Sequence, residues 1–221
     1  MLRAVEILEE GMRQVQRIIK RAMDSVISAA GLCVLAIPFS LIALAIKLDD
    51  RGPVFFRQER IGKDAKPFRV WKFRTMIVDA ARQGLGNTLS RDDERITRVG
   101  RLLRNTGFDE LPQAINVLVG QMSLVGPRPT LAYQVEQYTP FQRRRLEMRP
   151  GITSLAVVSG RNALSWVERI RLDVRYVDEW SLWLDVTILI RTLWCVLITR
   201  EGLYGDGGVN DSFVDPPAKT S

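Results

Sequence analysis

Residues 26 to 46, VISAAGLCVLAIPFSLIALAI, are 21 consecutive uncharged and mostly apolar positions, and no other feature limits the fold as strongly. As a helix the run reaches about 30 Å, the thickness of a bilayer's hydrocarbon core. It makes a poor signal peptide: it starts well inside the chain, follows a charged segment and leads into Lys47, Asp49, Asp50 and Arg51 rather than a small-residue cleavage site. It is therefore expected to stay on the protein. Pro38 lies within it, removing one backbone hydrogen bond and pressing on the preceding turn, although kinked spanning helices tolerate proline. Arg13, Arg17, Lys20 and Arg21 precede the run, and Lys47, Arg51, Arg57 and Arg60 follow it. Both ends thus carry the cations that favour the cytoplasmic side. A helix that enters, bends at Pro38 and returns to the same face satisfies both ends. A plain span and a buried core helix stay open as alternatives.

The segment before the run carries Leu2, Val5, Leu8, Met12, Val15, Ile18, Ile19 and Ala22 at three- and four-residue spacings, which predicts an amphipathic helix. Residues 181–198 repeat the theme with Trp183, Ile190, Trp194 and Leu197, interrupted by Asp185 and Arg191. Those charges argue against a span and fit a helix lying at the headgroup level, with a soluble core helix as the alternative. After Arg200 the chain is rich in Gly, Asp and Pro, and a loosely attached tail is expected there. Cys33 and Cys195 sit in apolar stretches without ligand-type neighbours, so they read as buried or lipid-facing thiols.

Charge and composition narrow the chemistry. The chain has a formal charge of +7, and 26 of its 32 cations are arginine, whose planar fork grips phosphates and carboxylates. Anionic partners follow: nucleic acid, an acidic lipid surface or a phosphorylated small molecule. There is no histidine, so acid or base chemistry falls to carboxylates, Lys or Tyr.

The chemistry is expected between residues 50 and 180. PVFFRQERIG and KPFRVWKFRTM predict two short strands around a turn at Gly62-Lys63-Asp64, with Lys66, Arg69, Lys72 and Arg74 interleaved with Phe68, Trp71 and Phe73. That pattern suits a phosphate-binding or base-stacking surface as well as a solvated strand face. DDERITRVGRLLRNTG predicts a helix ended by Gly107. In FDELPQAINVLVG, Pro112 fits only the first turn of a helix, which puts Asp109 and Glu110 at its N-terminus, where unpaired amides favour ionised carboxylates. Helix capping alone explains such a pair. Within one helix length, however, MSLVGPRP clamps Arg128 between Pro127 and Pro129. A stiffened guanidinium near two carboxylates suggests a site for a phosphate and a divalent cation, where a carboxylate can hold Mg²⁺ or attack phosphorus.

The runs KRAMD, QERIG, KFRTM, ITRVGRLLRNTGFDELPQAINVLVGQMSLVGPRP, RPGIT and GRNALSW, over about residues 20 to 205, together resemble the bacterial sugar transferases that are monotopic phosphoglycosyl transferases. The resemblance implies transfer of a sugar-1-phosphate from a UDP-sugar to a polyprenol phosphate such as undecaprenyl phosphate, with release of UMP, and with Mg²⁺ as cofactor. It favours the re-entrant helix, both termini cytoplasmic, at the bacterial inner membrane. By the same resemblance Asp109 is the nucleophile that forms a phosphosugar enzyme, and Glu110 is its partner, holding Mg²⁺ with it or deprotonating the acceptor. Arg128 binds phosphate, Lys72 and Arg74 match basic residues of the site, and Arg104, Arg60, Arg161 and Asn162 make substrate or structural contacts. The chain departs from the family's pattern at Ile37, where Ser often precedes the kink proline, and at Ser154-Leu155-Ala156-Val157 in place of Gly-Trp-Ala-Gln.

The expected fold is mainly α with a few short strands, an α+β class. Its parts are an amphipathic helix at 1–22, a re-entrant membrane helix kinked at Pro38 over 23–48, a cytoplasmic catalytic domain with interfacial helices over 49–200 and a tail over 201–221. The lipid bilayer is an expected partner, nucleic acid is not, and association as a homodimer is left open. A membrane-anchored nucleic-acid-binding module and an Mg²⁺-dependent diphosphatase of nucleotide sugars are the rival functions. The first leaves Asp109, Glu110 and Arg128 without a purpose; the second uses water in place of the lipid acceptor.

Overall fold

The computed structural model describes residues 2–80, 93–160 and 163–195, with side chains from residue 10 onward. The chain opens with two helices, α1 (Leu2–Val34) and α2 (Ala36–Asp50), bent by 60° at Leu35. The bend follows from Pro38: without its N–H, the ladder skips the Val34 carbonyl, while Leu35 still donates to Gly31 and Phe39 to Leu35, both at 2.8 Å. Ser40 Oγ donates to the Ala36 carbonyl within α2 at 2.9 Å. The amphipathic segment and the first part of the apolar run share one unbroken helix, with no boundary near residue 22. No single described helix is long and apolar enough to cross a membrane, whereas the bent pair together is.

Many large apolar side chains of this helix pair face away from the protein, although Phe39, Ile42 and Ile46 of α2 pack with Phe73 and Leu103. Met12, Val15, Ile18, Val26, Val34, Ile37, Leu41, Leu44 and Leu48 are exposed, while Asp24 and Ser28 are buried. On α1 the polar side around Lys20 to Asp24 faces protein. Lys20 Nζ donates to Asp185 Oδ2 at 2.6 Å and to the Val125 carbonyl at 3.0 Å, and Arg21 donates to the carbonyls of Val117 and Leu118 at 2.6 and 2.8 Å. Asp24 accepts from Ser123 Oγ at 2.8 Å and from the Leu124 amide at 3.1 Å. Lys20 and Arg21, which precede the apolar run, thus also dock α1 onto the rest of the fold.

Strands β1 (Phe55–Ile61) and β2 (Pro67–Phe73) form the predicted hairpin, antiparallel from Phe55↔Phe73 to Ile61↔Pro67. Phe68, Val70 and Phe73 are buried, each contributing about 1.5–3 kcal/mol. Phe73 meets Phe39 of α2 edge-on with ring centroids 5.1 Å apart, tying the hairpin to the bent pair. Helix α3 (Arg98–Thr106) is capped by Thr97 Oγ1, which accepts from the Gly100 amide at 2.9 Å, and it ends at Gly107 with φ 74°.

A 3₁₀ turn over Phe108–Gln113 runs into the short helix α4 (Ala114–Leu118). Strand β3 (Ser123–Val125) then pairs in parallel with β4 (Gly151–Thr153). Between them lie α5 (Ala132–Glu136), α6 (Pro140–Arg143) and a 3₁₀ turn over Arg144–Glu147. Helices α7 (Leu155–Ser159), α8 (Trp166–Glu179) and α9 (Leu182–Trp194) follow. Ser154 caps α7 by accepting from the Val157 amide, so this variant sequence supplies its own helix start.

Helix α9 buries Asp185 and Ile188 and exposes Trp183, Ile190, Leu193 and Trp194. Asp185, which the sequence offered as an interruption of an apolar stripe, is the acceptor for Lys20, Tyr176 (2.6 Å) and Trp180 (3.2 Å). Cys33 and Cys195 are free thiols, Cys33 exposed. The mainly helical class with a few short strands is what the sequence led one to expect. Leu197 and the tail at 201–221 lie outside the described residues.

Candidate active site

Two sequence runs far apart in the chain build the floor of the site. Gly126 donates to the Thr153 carbonyl at 3.0 Å and Gly151 to the Pro127 carbonyl at 2.9 Å, so the GPRP and RPGIT stretches lie directly against each other. A side chain at Gly126 would meet the Arg149 carbonyl, and one at Gly151 the Gly126 amide, so this approach requires glycine at both positions. The turn at Pro127-Arg128-Pro129 is gripped from behind as well. Arg145, 2% exposed, donates to the Arg128 carbonyl at 2.9 Å and to Tyr138 Oη at 2.7 Å while closing an ion pair with the equally buried Asp173. The spacing of charges along the chain gave no sign of this pair, because Arg145 sits in the run Arg143-Arg144-Arg145, which reads as a solvated face.

The opposite wall is the hairpin. Asn116, fully buried, completes the edge of β2 with its side-chain amide: Oδ1 accepts from the Trp71 amide at 2.9 Å and Nδ2 donates to the Arg69 carbonyl at 2.8 Å. This clasp fixes the height of Lys72, the next residue, against the 3₁₀ turn. Asn116 also escaped sequence reasoning; an asparagine inside the apolar stretch AINVLV was the available signal.

Lys72 Nζ donates to Glu110 Oε1 at 2.7 Å, and Arg128 Nη2 donates to the same oxygen at 2.8 Å, with Arg128 Nη1 3.4 Å from Oε2. Glu110 is thus held by a cation from each wall. Asp109, beside it on the turn, accepts no hydrogen bond among the described residues, although the charges of Lys72, Arg104 and Arg128 all act on it. Burial pushes the Asp109 carboxyl up to about 6, with Glu110's charge adding to the rise and the three cations holding it back. For Glu110 burial also opposes ionisation, but Arg128 and Lys72 overcome it and keep that carboxyl well below the usual range. The two acids share one short 3₁₀ turn, yet burial raises Asp109 while Arg128 and Lys72 lower Glu110.

The structure brings Asp109, Glu110, Lys72, Arg128 and Arg104 together. Arg104 projects from α3 and donates from Nε to Thr75 Oγ1 at 2.7 Å. Arg60 shares the Lys72 face of the hairpin and donates to Gln58 Oε1 at 2.8 Å. Arg74 is placed elsewhere: buried, it lies 3.2 Å from Asp50 Oδ2 at the end of α2. Arg161 and Asn162 fall outside the described residues.

The profile of the family described as bacterial sugar transferase matches residues 15–199. The chain belongs to the bacterial sugar transferase family. This sugar transferase is 45% identical over 186 residues to "Uncharacterized sugar transferase EpsL" of Bacillus subtilis (strain 168), covering 84% of this chain and 90% of that protein. It is 44% identical over 194 residues to a UDP-glucose:undecaprenyl-phosphate glucose-1-phosphate transferase of Caulobacter vibrioides, covering 84% and 72%. A protein of the same name from Escherichia coli (strain K12) is 42% identical over 187 residues, but those are 81% of this chain and 40% of the relative. The sugar transferase thus spans only two fifths of some relatives it matches.

Proposed function

We propose that this sugar transferase moves a sugar-1-phosphate from a UDP-sugar to a polyprenol phosphate, by way of a phosphosugar carried on Asp109. The observation that carries this reading is the contrast between the paired acids: Glu110 is clamped by Lys72 and Arg128, while Asp109, in the same cationic pocket, accepts no hydrogen bond among the described residues. A carboxylate left bare among cations is free to attack, and the cations are placed to receive phosphate oxygens. In the first step an Asp109 oxygen bonds to the sugar-bearing phosphorus as the bond to the UMP oxygen breaks, and UMP leaves with the electron pair. In the second an oxygen of the polyprenol phosphate bonds to that phosphorus and the Asp109 carboxylate is released, giving the polyprenyl diphosphate sugar. Glu110 orients Lys72 and Arg128. Relatives named for UDP-glucose and undecaprenyl phosphate support these substrate classes.

The residues fit Mg²⁺ in a particular way. No group of three or more His, Cys, Asp or Glu is gathered among the described residues, yet this ion is held by one or two carboxylates together with substrate phosphates. Asp109 with its open oxygens and Glu110 with its second oxygen are the residues that would hold it. When bound, it would neutralise the diphosphate oxygens.

The bend of the helix pair and its exposed apolar side chains support a re-entrant placement on the cytoplasmic face of the bacterial inner membrane. The exposed indoles of α9 would lie at the boundary. Intact mass spectrometry after mixing the protein with UDP-sugars, acceptor omitted, tests the proposal. A phosphosugar adduct mapped to Asp109 is expected. Steady release of UMP and free sugar phosphate without adduct or lipid would establish the diphosphatase instead.

A further inference from the structure

Between α1 and the turn that follows α4 lies an open cleft of about 450 Å³, lined by Gln14, Arg17, Ile18, Arg21, Ala22, Ser25 and Arg149. We infer that it is a binding site for the phosphate headgroup of an anionic glycerophospholipid, separate from the site at Asp109. Three of the lining residues are arginines and none is acidic. Two of these guanidiniums are fixed without being neutralised. Arg21 is pinned by the carbonyls of Val117 and Leu118, and Arg149 Nε donates to the Gly120 carbonyl at 3.0 Å. Gly120, at φ 88°, turns the chain so that this carbonyl faces Arg149. Carbonyl anchors orient an arginine while leaving its full charge, and the remaining N–H groups of Arg149 and exposed Arg17 are available to an anion.

The rim argues for a lipid over a free ion. Ile18 lines the cleft and is 65% exposed, Val15 lies one turn before it on α1, and Leu118, whose carbonyl holds Arg21, and Val119 beside it are 40% and 63% exposed. A phosphodiester carrying acyl chains matches a cationic cleft with an apolar rim, whereas inorganic phosphate would leave the rim in water. The inference rests on the membrane placement proposed above, and the experiment separates the two.

The full chain is tested by flotation on vesicles of phosphatidylcholine alone and of phosphatidylcholine mixed with phosphatidylglycerol. Detergent-purified protein is examined by native mass spectrometry for retained phosphatidylglycerol. Arg17→Gln with Arg149→Gln should lower the phosphatidylglycerol-dependent affinity about tenfold and abolish the retained lipid, while Lys63→Gln with Arg171→Gln, removing equal charge from exposed positions, should retain it. Binding to neutral vesicles should persist in both. Equal losses in the two double variants, or displacement of the retained lipid by inorganic phosphate, would overturn the site. Failure to float on any vesicle would overturn the membrane placement beneath it. Arg17→Glu alone, at an exposed helix position, provides a second variant with the same expected loss.

Discussion

Lys72 and Arg128 converge on a single oxygen of Glu110, at 2.7 and 2.8 Å, and the neighbouring Asp109 is left without a hydrogen bond among the described residues. One acid is thereby fixed in the ionised state, and its neighbour becomes the titrating group. Two adjacent carboxyls acquire different roles because two cations reach one and not the other.

With the Asp109 carboxyl raised to about 6 by burial, turnover should fall as pH drops through about 6, about tenfold per unit below it. A pH profile of kcat/KM with the limb near 4 would contradict this.

Stability should run the other way. A carboxyl whose folded value lies above its ordinary 3.8 binds more protons folded than unfolded between about 4 and 6, so stability declines as pH rises through that window and stays lower above it. Asp109→Asn should therefore be stabilised at pH 7.5 by on the order of 1–2 kcal/mol while losing transfer. The check is thermal unfolding in detergent at pH 7.5 and pH 4, where the gain should vanish.

Lys72→Met removes a cation that draws the Asp109 value down and orients Glu110. The acid limb of the pH profile should move upward, and kcat should drop by about 10²–10³. Lys72→Arg, which keeps the charge, should leave the limb in place.

Behind the site, Arg145→Met alone should cost about 3–5 kcal/mol, since it strands the Asp173 carboxylate in the interior. Paired with Asp173→Leu the loss should shrink. Both variants release the Arg128 carbonyl, so KM for the sugar nucleotide should rise in each even where stability recovers.

Asn116→Ala leaves the Trp71 amide and the Arg69 carbonyl unpartnered, at a cost of about 1–3 kcal/mol. Because Lys72 follows Trp71, activity should fall further than the stability change accounts for, measured at a temperature where the variant is fully folded.

The chain's own pattern determined a good deal. Pro38 within an uncharged run dictates a bend because a missing N–H cannot be replaced locally. Gly107 ends α3, the turn at Gly62-Lys63-Asp64 joins two strands, and Pro112 confines Asp109 and Glu110 to a helical start; each is a consequence of backbone chemistry over a few residues. What only the tertiary structure decided are the pairings of groups distant in sequence. Lys20 meets Asp185, Asn116 clasps β2, and Arg145 holds the Arg128 turn across 17 residues. Local spacing carries no information on which charge will be buried against which: burial raises both Asp109 and Glu110, and only the hydrogen bonds from Lys72 and Arg128, which come from distant parts of the chain, set Glu110 apart.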